Sequence, residues 1–148
     1  MTEHSATVTW RNPGSTLDYA SYSRRHSWAF DAGISVAASA GVTFNGDADC
    51  VDPEEALVAA ASGCHLLTFL AIAAKRQLVV VSYEDHPVGT LEKNAAGQMA
   101  VTRIELRPVV RFAPGTTVSA DDLQRLHDSA HRNCFIANSI RAEIHVRL

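Results

Sequence analysis

The pattern of apolar and polar residues predicts one long helix in the middle of the chain, over residues 52–77. Asp52 is a good N-cap, and Glu55 stands three residues later, as in a capping box. From Ala56 to Ala74 the segment carries no charged residue and is apolar on nearly every side. Such a helix is expected to be buried all round. Because small residues precede Cys64, we predict a central helix, roughly 36 Å long, that presents this thiol to a close neighbour.

Elsewhere the pattern alternates and predicts strands around a second helix. Strands are expected at residues 7–11, 19–30, 34–38, 78–83, 88–93, 98–112 and 142–148, with a turn at 12–15. Ser119 is the expected cap of the second helix, whose inward stripe ends at Cys134. Residues 1–148 are therefore predicted to form a single α+β domain, with helices packed on antiparallel sheet.

Composition and charge argue against several classes of function. The net charge is −3 with acids and bases interspersed, so no basic stripe for nucleic acid is present. The first residues lack the basic and apolar regions of a signal peptide. Polar and small residues within the apolar helix argue against a membrane span. Three cysteines are a low, odd count that fits a reducing compartment, so we expect a cytoplasmic protein with a functional thiol.

The two helices each place a cysteine on their inward face, Cys64 and Cys134. A disulfide needs Cα atoms within roughly 7 Å, and the small residues before Cys64 allow that approach. The alternative is that both are buried and act as small apolar residues. Burial raises a thiol pKa and the helix dipole fades within one turn, so a reactive Cys64 requires a cation from elsewhere. Arg24 and Arg25 are the candidates, unless they form a solvated strand face.

A metal site is a second hypothesis for the same residues. His127, His131 and Cys134 lie at i, i+4 and i+7 on one helix face, and Cys64 could add a fourth ligand for zinc. The spacing matches no standard zinc motif, and histidines at the core edge explain it equally well. Cys50 lies beside acidic residues that disfavour its thiolate, so it is taken as incidental.

Four segments of the chain resemble the OsmC/Ohr family of organic hydroperoxide reductases. P-E-E-A-L-V-A-A-A-S-G-C-H (53–65) and H-R-N-C-F-I-A-N-S (131–139) are similar to its two cysteine motifs. Y-S-R-R-H-S-W-A-F-D-A-G (22–33) and Y-E-D-H-P-V-G-T-L-E-K-N (83–94) also match. The resemblance implies an intertwined homodimer with two central helices wrapped by antiparallel sheets, and a thiol peroxidase activity.

The resemblance also implies roles for individual residues. Cys64 matches the cysteine that attacks the peroxide, and Cys134 matches the one that resolves it by forming a disulfide. Glu54 matches the active-site glutamate, and Arg24 best matches the arginine that favours the thiolate, although Arg25 stays open. The implied substrates are alkyl or lipid hydroperoxides, favoured by apolar neighbours such as Leu66, Phe69, Phe135 and Ile136. A dithiol, lipoyl-type or a small thiol, is the implied reductant, and no metal or organic cofactor is required.

Helix geometry adds a constraint on Glu54. Ten residues correspond to roughly 15 Å along a helix, so Glu54 cannot reach Cys64 of its own chain. If both belong to one site, Glu54 and the arginine come from a partner chain. The remaining alternative is a module of the same fold that binds an apolar ligand and has inert thiols.

Overall fold

The computed structural model describes residues 1–14 and 17–148, which group into two compact units, residues 1–56 and 57–148. The single domain predicted from the sequence stays a prediction. The turn predicted at 12–15 extends beyond the described residues at Ser15. In its described part, the Gly14 N–H donates to the Asn12 side-chain oxygen at 3.1 Å.

The first unit contains a three-stranded antiparallel sheet in the order β1-β2-β3. The strands are β1 (Ala6–Thr9), β2 (His26–Phe30) and β3 (Ser35–Ala38). Trp28 in the central strand lies opposite Val8 on one side and Val36 on the other. Gly33 closes the β2–β3 hairpin in the left-handed region, at φ +76°, where the lack of a side chain avoids strain.

The strand predicted over 19–30 is wrong in its first part. A turn precedes β2, because the Asp18 carboxylate accepts from the Ser21 N–H at 3.0 Å while the Asp18 carbonyl accepts from the Tyr22 N–H at 2.8 Å. Asp side chains stabilise such turns by competing with extended backbone for the N–H groups. The strand therefore begins only at His26.

The long helix, α1 (Pro53–Lys75), has the ends that the sequence predicts. The Glu55 N–H donates to Asp52 Oδ1 at 2.7 Å, and the Asp52 N–H donates to Glu55 Oε2 at 3.1 Å. These reciprocal bonds confirm the capping box. At the other end, the Leu78 N–H bonds to the Ala73 carbonyl while Gln77 adopts φ +57°, which is a Schellman ending made without glycine.

The second unit packs α1 and a shorter helix, α2 (Ala120–Asn133), on two small sheets. Ser119 caps α2 as predicted, since its Oγ accepts from the Asp122 N–H at 3.1 Å. The strands are β4 (Val80–Glu84), β5 (Val88–Lys93), β6 (Met99–Leu106), β7 (Val109–Phe112) and β8 (Glu143–Val146). β4 pairs with β7 in one sheet, and β5-β6-β8 form the other. This is the predicted α+β arrangement.

Two strand predictions in this unit need correction. The strand predicted over 98–112 is two strands in different sheets, divided at Arg107 and Pro108. The Arg107 N–H leaves the ladder and donates to Asp85 Oδ1 at 2.6 Å, and proline has no N–H to offer. The last strand, β8, is parallel to β6 rather than antiparallel, because the chain crosses over through α2 before it returns.

Burial of α1 differs from the prediction that it is covered on all sides. Only Ala61, His65, Phe69 and Ala73, a stripe with a spacing of four, are buried. Leu67 on the opposite face is 68% exposed. One chain can cover only one face of a helix with its own sheet and α2. By length and composition α1 would suffice to cross a membrane, a test that the core helix of a soluble protein also passes.

Candidate active site

The structure brings the thiols of Cys64 and Cys134 together, although Cys64 lies beside the buried stripe of α1 rather than on it. Cys64 lies in the middle of α1 and is partly exposed, whereas Cys134 follows the last residue of α2 and is buried. Both are free thiols. The Cys134 thiol donates a hydrogen bond to the Cys64 sulfur. The two residues are 70 positions apart, so only the packing of α1 against α2 creates this pair.

The turn after α2 points backbone N–H groups at both sulfurs. The Ile136 N–H donates to Cys64 Sγ at 3.5 Å, and the Ala137 N–H donates to Cys134 Sγ at 3.4 Å. The turn is closed by the Asn138 N–H on the Cys134 carbonyl at 3.1 Å. Successive N–H groups in a turn form a concave site for negative charge. The C-F-I-A-N segment therefore favours a thiolate at this place.

The surroundings shift the two thiols in opposite directions. Burial raises the pKa of Cys64, but hydrogen bonds from the Ile136 N–H, the Cys134 thiol and the Phe135 N–H outweigh it, so its pKa is lowered overall. Burial and the hydrogen bond to Cys64 raise the pKa of Cys134. The Thr68 hydroxyl adjoins the site but donates to the Cys64 carbonyl at 2.8 Å. Cys64 is thus the more acidic thiol of the pair.

An apolar groove of about 720 Å³ opens beside Cys64. It is lined by Ala60, Cys64, Leu67, Thr68, Ala71, Ile72, Lys75, Asn133, Phe135 and Ile136. Phe135 and Ile136 thus lie beside the thiol as predicted. Phe69 does not, because it is buried in the core against Leu126 and Ala130, and Leu66 is not part of the groove wall.

The two arginine candidates in the first unit have different partners. Arg25 forms ion pairs with Asp49 at 2.7 Å and Asp47 at 3.3 Å, so its charge is neutralised locally. The Arg24 guanidinium donates to the carbonyls of Tyr22 at 2.9 Å and Tyr19 at 2.8 Å. Its carbon lies 4.1 Å from the centre of the Tyr22 ring. Arg24 is therefore the arginine whose charge no carboxylate cancels within the described part of the chain.

Glu54 and Arg24, the two other residues that the family resemblance implies, both lie in the first unit. No ion pair or hydrogen bond joins the two within residues 1–14 and 17–56, since backbone carbonyls take the Arg24 donors instead. Arg24 does line a cavity of about 450 Å³ in the first unit, together with Pro53, the residue before Glu54. The catalytic roles of Arg24 and Glu54 stay predictions.

Histidines of the predicted zinc site have another arrangement. His127 Nδ1 lies 3.0 Å from Nε2 of His65 on α1, and both rings are buried. Burial lowers the pKa of each ring to about 4, so both are neutral at pH 7. No three His, Cys, Asp or Glu side chains among the described residues are grouped to hold a metal ion. The zinc hypothesis therefore lacks a ligand set there.

The sequence reasoning missed the His65–His127 pair. Its available signal was the position of His127 on the apolar stripe of α2, with His65 on the face of α1 that also carries Phe69 and Ala73. For Cys50, the expected effect of its neighbours is confirmed. Partial burial raises the pKa of this thiol most, Arg25 opposes the rise, and Asp49 and Asp47 add to it.

Comparisons with known proteins agree with this fold. Residues 46–148 match the family model described as OsmC-like protein. An OsmC-like protein of unknown function from Vibrio cholerae is 45% identical, with 99% of each chain covered and a TM-score of 0.93. An organic hydroperoxide resistance protein from Elizabethkingia anophelis is 19% identical, and the match covers 100% of this chain and 94% of that protein's chain, with a TM-score of 0.73.

OhrB, the organic hydroperoxide resistance protein of Bacillus subtilis, is 18% identical, covers 97% of this chain and 96% of its own, and has a TM-score of 0.62. At these identities the two resistance proteins show the shared fold alone. No curated protein matches the sequence.

Proposed function

Because the chain belongs to the OsmC-like family, we propose that it is a cysteine-based peroxidase that reduces organic hydroperoxides to alcohols. The observation that carries the proposal is the thiol pair itself. Cys64 has a lowered pKa and accepts hydrogen bonds, while Cys134 has a raised pKa and donates one to it. A more acidic thiol beside a less acidic one suits peroxide reduction followed by disulfide formation, because the first sulfur must attack and the second must then resolve.

The chemistry divides into three balanced steps. The Cys64 thiolate attacks the distal, hydroxyl oxygen of ROOH, the O–O bond breaks, and RO⁻ takes a proton to leave as the alcohol. Cys64 is then a sulfenic acid. The Cys134 thiol attacks this sulfur and releases water, which gives the Cys64–Cys134 disulfide. A dithiol reductant, lipoyl-type or a small thiol, then takes the oxidation away by thiol–disulfide exchange.

The groove beside Cys64 supports an organic substrate. Leu67, Phe135 and Ile136 give it apolar walls, which favour an alkyl or lipid hydroperoxide over hydrogen peroxide by burying hydrocarbon surface. The sulfur atoms exchange all of the electrons, so the cycle requires neither a metal nor an organic cofactor. It does require a reducing compartment, and we propose a cytoplasmic location.

A homodimer would complete the site. Glu54 and Cys64 lie ten residues apart on α1, about 15 Å along its axis, so they cannot share a site within one chain. We propose that Glu54 and Arg24 of one protomer serve Cys64 of the other. The exposed face of α1 around Leu67 supports this arrangement, since a 68% exposed leucine on an apolar helix suits an interface.

One experiment tests the function directly. Reduced protein receives one equivalent of tert-butyl hydroperoxide, and its thiols are mapped by peptide mass spectrometry. We expect a Cys64–Cys134 disulfide with Cys50 free. Cys64→Ser should abolish turnover, and Cys134→Ser should stop after one oxidation, with a sulfenic acid that dimedone traps. Cys50→Ser is the control and should react as wild type. Two free thiols after prolonged exposure would overturn the proposal.

A further inference from the structure

A hydrogen-bonded pair of histidines joins the two helices that carry the thiols. His65 of α1 and His127 of α2 are 1% and 0% exposed, with Nε2 and Nδ1 3.0 Å apart. The ring planes differ by 4° and the ring centres are 5.3 Å apart. This separation exceeds the nitrogen–nitrogen distance by about two ring radii, so the rings meet edge to edge, as an N–H···N bond requires.

This bond is a directional contact within the apolar part of the junction between the two helices. Around it lies one of the two core clusters of the second unit, with Phe69, Ala73, Leu126 and Ala130. The centres of the Phe69 and His127 rings are 4.4 Å apart. Neither ring has another hydrogen bond to the described residues, because His65 Nδ1 and His127 Nε2 lack protein partners there. Apolar contacts are non-directional and tolerate small rotations and shifts of a helix, whereas a buried hydrogen bond does not.

The position of the pair couples it to the thiols. His65 directly follows Cys64 on α1, and Cys134 comes seven residues after His127, two turns along α2 and on the same face. A rotation or shift of one helix against the other at the histidines therefore moves one sulfur relative to the other. A disulfide tolerates little such movement, since its dihedral angle and Cα separation are narrowly limited.

We propose that the His65–His127 hydrogen bond positions α1 against α2 so that Cys64 and Cys134 can form a disulfide. The inference rests on the proposed function, because it assigns the pair a role in the second step of that cycle. His65 and His127 are positioning residues, since neither contacts a substrate and both act through the helices that carry the sulfurs.

The test measures the disulfide equilibrium without hydroperoxide. The two thiols of the protein react with oxidised dithiothreitol to give the protein disulfide and reduced dithiothreitol, so two electrons and two protons pass to the reagent. Matched polar variants separate the bond from bulk and polarity. His65→Gln and His127→Asn each keep an amide near the bonded ring nitrogen. His65→Asn and His127→Gln place it about one methylene away.

We expect the equilibrium constant to fall at least tenfold in His65→Asn and His127→Gln, and less than threefold in His65→Gln and His127→Asn. The rate of the first oxidation of Cys64 by tert-butyl hydroperoxide should stay within twofold in all four. Leu126→Val, a core change beside His127 that leaves the bond intact, is the control for stability. Equal equilibrium constants in the two pairs of variants would overturn the inference, as would a tenfold fall in Leu126→Val.

Folding is checked by circular dichroism, and His65→Leu is a second variant that loses the bond but keeps an apolar core. The outcomes separate the two proposals. If the wild-type disulfide forms with oxidised dithiothreitol but never with hydroperoxide, the proposed function is overturned. The equilibrium constants of the variants then still decide whether the histidines position the helices. A wild-type disulfide that forms with both, and that the variants do not weaken, overturns the positioning role alone.

Discussion

The Ile136 N–H donates to Cys64 Sγ at 3.5 Å, although the two residues lie 72 positions apart. The donor is a backbone group, so the identity of the side chain at 136 is secondary to the turn that aims it. Together with the Phe135 N–H and the Cys134 thiol, it lowers the pKa of Cys64 against the effect of burial. The reactivity of this thiol therefore depends on the turn after α2 as much as on α1.

Removal of that donor should raise the pKa of Cys64. Ile136→Pro deletes the N–H, and the loss of one hydrogen bond to a charged group corresponds to a rise of about one pKa unit or more. Ile136→Ala keeps the N–H and is the matched control. The measurement is the pH dependence of Cys64 alkylation in a Cys50→Ser, Cys134→Ser background. An unchanged pKa in Ile136→Pro would show that the turn does not stabilise the thiolate.

Substitution of the two arginines should separate their roles. Arg24→Met should slow hydroperoxide reduction by at least about tenfold, because no carboxylate of the described residues cancels its charge and a cation favours a nearby thiolate. Arg25→Met loses ion pairs with Asp47 and Asp49 and should leave the rate nearly unchanged. Steady-state peroxidase assays at several pH values test this, and the opposite ranking would assign the role to Arg25.

Mixed dimers test whether Glu54 acts across an interface. Cys64→Ser and Glu54→Ala chains are each expected to be inactive as homodimers. After refolding together, a heterodimer has one site with an intact Cys64 and an intact Glu54 if the two come from different chains. Random pairing should then restore roughly a quarter of wild-type activity.

The control mixes Cys64→Ser with a double Cys64→Ser, Glu54→Ala chain and should stay inactive. Tags of different mass on the two chains verify that heterodimers have formed. Heterodimers without activity, or a wild-type protein that is a fully active monomer by light scattering, would contradict the arrangement.

Acid should destabilise the fold before its carboxylates are protonated. Burial lowers the pKa of His65 and of His127 from 6.5 to about 4. Repulsion from His131 lowers the pKa of His65 further, and repulsion from His65 does so for His127, while Asp85 opposes both shifts. The unfolded chain thus binds more protons than the native one between these values, so stability rises with pH. The stability that depends on the two neutral histidines is fully present above about pH 6.5 and is lost as the pH falls towards 4.

The pKa shift from 6.5 to about 4 corresponds to a loss of about 3 kcal/mol in the free energy of unfolding when the first ring is protonated. Urea unfolding between pH 4 and 7 measures the slope. In the double variant His65→Gln, His127→Asn the slope over this range should nearly disappear, because amides do not titrate there. The lowered pKa of the partly buried Glu105 carboxylate, which Arg107 and Arg147 hydrogen-bond, lies in a more acidic range. An equal slope in wild type and double variant would contradict the prediction.

Local interactions are the part of this structure that the sequence by itself determined. The capping box of Asp52 and Glu55 and the Ser119 cap of α2 join residues three positions apart, so neighbouring letters are enough to predict them. The same holds for the apolar stripe that places Cys134 at the inward face of α2. The family resemblance followed from such short motifs, and the match over residues 46–148 confirms it.

Tertiary structure alone decided which groups meet. His65 binds His127 across 62 positions, and the strand expected over 98–112 divides because the Arg107 N–H finds Asp85, 22 positions away. No local pattern encodes such partners, since each depends on the angle and register at which α1, α2 and the strands pack. The exposed face of α1 has the same cause. Hydrophobicity predicts that a helix is to be buried, but only the assembled fold decides which face its own chain covers.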